Sequence, residues 1–355
     1  MPASLTQTAI ISRKVIRYGI YFMIFLLVIR TVVNTGIKIY RHFFPEPPPD
    51  ATVSFGKLPP LPFPVSGGLP RPNLALELTE GQFPETPAQA KVFLMPKPAA
   101  NLLGLEVAQE RVKAVGFQTE SQKLSESTYR FNHKNSVAVL DMNIVNGFFS
   151  ISYDLAKYPE LVHQIPPSSE VAVNLARSYL SNAGVLPDDL SGPTSHEYLV
   201  PHEFLELDGT PFVPAESQSV ANFVRVNLFR KSYDNLPSLT PNPNRGNVWF
   251  IISGSGDKDN QMIAGEYHYL PVNEQQFATY PLKNPQEAWD ELVAGGGYIA
   301  STGVNGTGEV KVRRAYLAYY DSPESSDFFQ PIFVFEGDKG FTAYVPAVNS
   351  EFYGN

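Results

Sequence analysis

Twelve consecutive residues, 18–29 (YGIYFMIFLLVI), carry no charge and are mostly large and apolar, and basic residues stand on both sides of them. A helix of that length rises about 18 Å, short of the roughly 30 Å of a bilayer's hydrocarbon. Beyond Arg30 the apolar character resumes in Thr31, Val32, Val33, Ile37 and Ile39. One helix over residues 16–40 therefore has the length to cross, with Arg17 at one interface, Lys38 and Arg41 at the other, and Tyr18, Tyr21 and Tyr40 as interfacial anchors.

Two other readings compete. A cleavable signal peptide explains the basic start and the short apolar run, but no small-x-small cleavage site follows and residues 38–41 continue the helical pattern. An interfacial amphipathic helix is suggested by Arg30, Asn34 and Lys38, which stand at i, i+4 and i+8 on one face. The first half of the segment is apolar all round, which argues for a span. Arg30 then either snorkels to the headgroups or faces a partner helix, because an unpaired charge in the membrane is costly. Arg13, Lys14 and Arg17 slightly outweigh the basic residues on the far side, placing residues 1–15 in the cytoplasm and the bulk of the chain outside it.

The charge balance agrees. The chain has 27 basic and 35 acidic residues, and the six basic residues before position 45 meet no acid there, which leaves 21 against 35 for the remainder. So acidic a body lacks the basic face that supplies nucleic-acid affinity, and that class is excluded. Cysteine is absent, which removes disulfides, thiolate metal sites and a cysteine nucleophile, and fits an extracytoplasmic bacterial protein.

Residues 41–72 read as a proline-rich stalk, with ten prolines among the 28 positions from 45 to 72. Proline fixes φ and removes donors, favouring an extended chain of roughly 85 Å. Gly67, Gly68 and the apolar Val53, Phe55 and Phe63 suggest that it bends or partly docks.

Past the stalk, the periodicity predicts three short helices, over residues 105–115, 168–184 and 284–295. The third has Asn284 as cap, Pro285 at the first position and Glu287 where a capping box wants an acid. Strand patterns fall at 91–95, 136–154, 222–229, 247–253, 261–270, 310–320 and 330–344, the last as a hairpin through residues 336–340. The fold class expected is α+β with mostly antiparallel sheets, divided into α+β domains at 73–190 and 191–355.

Pro285-Gln286-Glu287-Ala288-Trp289, then Gly297-Tyr298-Ile299, the strand at 310–320 and Gln330-Pro331-Ile332-Phe333-Val334-Phe335 resemble extracytoplasmic regulatory domains of the PepSY and YycI type. The likeness covers about 90 C-terminal residues, and its motifs are packing motifs. It implies a short inside N-terminus, one membrane helix and an outside domain that restrains a sensor kinase, and with it Arg30, Asn34 and Lys38 as the partner-binding side of the membrane helix. The long stalk and additional N-terminal domain depart from that pattern.

Chemistry is sparse. His196-Glu197 and His202-Glu203 are the one histidine cluster, and they are the weak candidates for a metal site. Their spacing of six, interrupted by Pro201, is not that of a zinc-binding helix. Residues 253–260 (SGSGDKDN) lack the distal glutamate of a calcium loop and read as a hairpin connection. No nucleotide-binding fingerprint or triad stands out, and no cofactor is expected. The reading is a membrane-anchored envelope protein that binds, regulates or scaffolds a protein partner without catalysis; the alternatives are an envelope hydrolase with dispersed residues, or a subunit of a membrane-spanning assembly.

Overall fold

The structure, a computed structural model, describes residues 5–43, 49–65, 71–191, 200–207, 212–303 and 308–354. The apolar N-terminal run lies within one continuous helix, α1 (Leu5–Phe43). Its stretch Arg13–Lys38 is long and apolar enough to cross a membrane, a criterion that a signal sequence also meets. Thr31 satisfies its hydroxyl inside the helix, donating to the Leu27 carbonyl at 2.9 Å, as a hydroxyl in an apolar setting must. Residues 1–50 form one unit and residues 51–355 a second.

The second unit is α+β, with mostly antiparallel sheets and, among the described residues, four α-helices: α2 (Gly104–Ala114), α3 (Ser169–Asn182), α4 (Asp188–Ser191) and α5 (Pro285–Val293). The single turn α4 adds to the three short helices that the periodicity predicts. In α5 the capping box is complete: Asn284 Oδ1 accepts from the Glu287 N–H at 2.8 Å, and the Asn284 N–H donates to the Glu287 carboxylate at 3.1 Å.

The largest sheet has nine antiparallel strands in the order Phe117–Lys123, Thr128–His133, Ala138–Asn143, Phe149–Tyr153, Met262–Tyr267, Val248–Ser253, Phe223–Leu228, His202–Glu206 and Val213–Pro214. Helices α2 and α3 cover one face through Ala108, Val112, Ala172, Ala176 and Leu180, against Phe131, Leu140, Ile151, Val226 and Phe250. Small side chains on the helices let them approach the larger ones on the strands. Four of the nine strands precede residue 190 and five follow it, so the hydrogen-bond ladder crosses the boundary expected between 73–190 and 191–355.

The second sheet is built on Glu309–Tyr320, Pro331–Gly337, Phe341–Pro346 and Tyr298–Thr302. Two parallel pairings join it: Asn73–Leu76 along the start of Glu309–Tyr320 and Ser238–Leu239 along its end. Pro331–Gly337 and Phe341–Pro346 form the hairpin read from the sequence, turning through Lys339 at φ 59°. Helix α5 packs Ala288, Trp289 and Leu292 on one face, over Phe333, Phe335 and Val345. A small third sheet joins Asn273–Pro281, Gln89–Leu94 and Phe328–Phe329.

Residues 51–65 are not a free spacer. Leu58 is fully buried and Leu61 nearly so, and Leu61 packs with Tyr320, Ile332 and Tyr344 on the face of the second sheet opposite α5. Phe63 stacks on Tyr298 at 5.3 Å. Prolines offer no N–H, and where they stand the segment is held through its carbonyls: Gln330 donates to the Pro59 oxygen at 3.1 Å and Tyr280 to the nearby Gly56 oxygen at 2.8 Å. The Leu61 N–H, one of the donors left, reaches Tyr353 Oη at 2.8 Å. The aromatic residues of this stretch thus complete a core, and its proline content describes an extended chain laid on a sheet rather than one standing in solvent.

A candidate ligand cavity beside His133

A cavity of about 360 Å³ opens where the ends of α2 and α3 meet the nine-stranded sheet. Its apolar lining includes Phe117, Ile151, Leu175 and Met262, and its polar groups come from three separate places. His133 ends the strand Thr128–His133, Ser178 and Tyr179 project from α3, and Lys258 and Asp259 come from the connection between Val248–Ser253 and Met262–Tyr267. A cavity that combines apolar surface with convergent polar groups is a form that small-molecule sites take.

Each polar group is held from behind. The His133 ring is 8% exposed, stands edge-on to Phe117 at 4.9 Å, and accepts the Asn135 N–H on Nδ1 at 3.2 Å. With Nδ1 accepting, the neutral ring carries its proton on Nε2. Burial pushes the His133 pKa below its ordinary value, against the opposite pull of Asp259 and Asp257. Nε2 stands 3.9 Å from Asp259 Oδ1, beyond direct hydrogen-bond range. The other Asp259 oxygen accepts from Asn135 Nδ2 at 2.8 Å.

The Asp259 loop is a set of side-chain-capped turns. Asp257 accepts from the Asp259 N–H at 3.1 Å and from Asn260 Nδ2 at 2.8 Å, while Ser253 Oγ donates to the Asn260 carbonyl at 2.7 Å. Tyr153 donates to Asn260 Oδ1 at 2.7 Å and fastens the loop to the sheet. Gly116, just past α2, has φ +96°, and a Cβ there would lie 2.5 Å from His133 Nε2. Glycine is therefore required twice, for the left-handed turn and for the imidazole beside it. Tyr179 Oη is buried with no hydrogen-bond partner, and desolvation holds its pKa well above the usual phenol range.

A second group of ionisable side chains lies deeper. Arg230, fully buried, donates to Asp321 Oδ1 and Asp189 Oδ2, each at 2.8 Å, and to the Leu270 carbonyl at 2.6 Å. Tyr233 donates to the same Asp189 oxygen at 2.7 Å, and the guanidinium lies 4.3 Å from the centre of the Tyr269 ring. Burial raises the Asp321 pKa while Arg230 pulls it down. This cluster is a closed, hydrogen-bonded core rather than an open site.

The residues singled out from sequence lie elsewhere. Arg30, Asn34 and Lys38 are all exposed on α1. His202 and Glu203 are successive residues of one strand and so face opposite sides of the sheet; Glu203 is paired with Arg225. His196 and Glu197 lie outside the described residues. Among the described residues no group of three or more His, Cys, Asp or Glu is placed to hold a metal ion. Residues 253–260 do connect two antiparallel strands, and in doing so they deliver Asp259 to His133.

No protein-family model and no curated protein matches the chain. Among solved structures the chain is similar to an uncharacterized protein from Eubacterium rectale ATCC 33656, at 11% identity and a TM-score of 0.38, over 73% of this chain and 82% of that one.

Proposed function

We propose that this is a membrane-anchored, extracytoplasmic protein of the cell envelope that binds, regulates or scaffolds an envelope partner without catalysis. The observation that carries the proposal is α1. Within its membrane-length stretch the apolar residues 18–29 are followed by the file Arg30, Asn34 and Lys38, and all three side chains are exposed. A file of polar groups one turn apart on one face suits a helix that meets another in the membrane. Arg13, Lys14 and Arg17 favour residues 1–15 inside and the second unit outside. In the C-terminal part, α5 is followed by Tyr298–Thr302, Glu309–Tyr320 and the hairpin, the order that the PepSY and YycI resemblance implies, and this supports a regulatory rather than a metabolic role.

His133 beside Asp259 in a cavity favours one competing reading, an envelope hydrolase with dispersed residues. Crosslinking and pull-down of the full-length protein from detergent tests the proposal. A membrane or envelope partner is recovered with the native chain, and Arg30→Leu weakens that recovery about tenfold, the effect of losing one charged hydrogen bond. Equal recovery with Arg30→Leu returns Arg30 to snorkelling at the headgroups.

A further inference from the structure

His133 Nε2 carries a proton that no described residue accepts, and Asp259 Oδ1, 3.9 Å away, is an acceptor with no donor at hydrogen-bond distance. A single oxygen can satisfy both at normal lengths only if it accepts from the first and donates to the second. A hydroxyl does this; a carboxylate or phosphate oxygen has no proton for Asp259, and an ammonium has no lone pair for His133.

The charges around the cavity point the same way. Lys258 and Asp259 both line it and offset each other, and His133 is held neutral by its burial. A charged ligand would enter with nothing to balance it, whereas a neutral one loses little. Phe117, Leu175 and Met262 offer apolar surface to a carbon skeleton. We propose that this cavity binds a small neutral polyhydroxylated molecule, of the chemistry of an uncharged sugar, with one hydroxyl bridging His133 Nε2 and Asp259 Oδ1. The proposal is independent of the membrane role argued above.

The test uses three probes on one skeleton: N-acetylglucosamine as the neutral form, glucosamine as the cation and glucuronate as the anion. The full-length protein in detergent is titrated with each while the His133 imidazole resonance is followed by NMR. N-acetylglucosamine is expected to move that resonance saturably, and Asp259→Ala to weaken the binding by about tenfold while thermal unfolding stays a single cooperative transition. Ser178→Trp, which narrows the cavity from α3 without touching the His133 pair, is expected to abolish the shift. If glucosamine or glucuronate binds as tightly as the neutral sugar, the charge argument is wrong. If none of the three moves the resonance saturably, a bridging water satisfies the pair and the proposal falls.

Discussion

Arg230 Nε donates to Asp321 Oδ1 at 2.8 Å, and this bond joins the two main sheets. Arg230 comes just after the strand Phe223–Leu228 of the nine-stranded sheet, and Asp321 follows Glu309–Tyr320 of the second. Asp189 on α4 grips the same guanidinium. Removing one member of a buried ionic group leaves the others uncompensated. Arg230→Met is therefore expected to cost about 3–5 kcal/mol in urea unfolding, with hydrogen exchange rising at both sheets together. A cost below about 1 kcal/mol, the range of exposed pairs, would show that the pair is solvated.

Leu58 and Leu61 test whether the proline-rich segment is structural. Leu58 is fully buried while Val65 is 97% exposed. Leu58→Ala is expected to destabilise the folded unit by about 2–5 kcal/mol, and Val65→Ala by no more than about 0.5 kcal/mol. The two variants are compared by chemical denaturation. Equal, negligible effects would return residues 51–65 to the status of a spacer.

The long apolar N-terminal helix, the α+β class and the three longer helices of the folded unit were legible because each rests on a local signal: an apolar run, a period near four, a capping box. The docking of residues 51–65 was hinted at only by Phe55 and Phe63, since proline content marks an extended backbone and says nothing about what lies beside it. The cavity was not legible at all. Its histidine sits on Thr128–His133, a strand with buried positions at Phe131 and His133 alone, too few to show alternation. The partner aspartate is 126 positions away, in a loop whose glycines and serines read as a plain connection. The sheet that unites them pairs strands from both halves of the chain, and such long-range pairing leaves no periodicity in the sequence.

His133 gives a pH dependence with a definite sign. Its folded pKa is lowered, first by burial, and so is that of His268. Between the folded and unfolded values the unfolded chain binds the extra proton, so stability is present near neutrality and is lost as pH falls below about 6.5. Glu77 and Asp338, held down by hydrogen bonds from Lys311 and Arg313, act in a separate window below about pH 4.5, where their bonds are lost. Unfolding free energy measured at about pH 7.5 and pH 5 should fall in the native chain and fall less in His133→Asn. An identical slope in the variant would mean that the imidazole titrates as if in water.

The absence of native cysteine makes topology directly measurable. A single Glu126→Cys on the exposed turn of the nine-stranded sheet, and separately Ser12→Cys near the N-terminus, can be treated with a membrane-impermeant maleimide on intact cells. The account predicts that Glu126→Cys is labelled in intact cells, that Ser12→Cys is labelled only after lysis, and that both remain in the membrane fraction at the full 39.3 kDa. Labelling of Ser12→Cys alone in intact cells, or a shortened product released from the membrane, would contradict it.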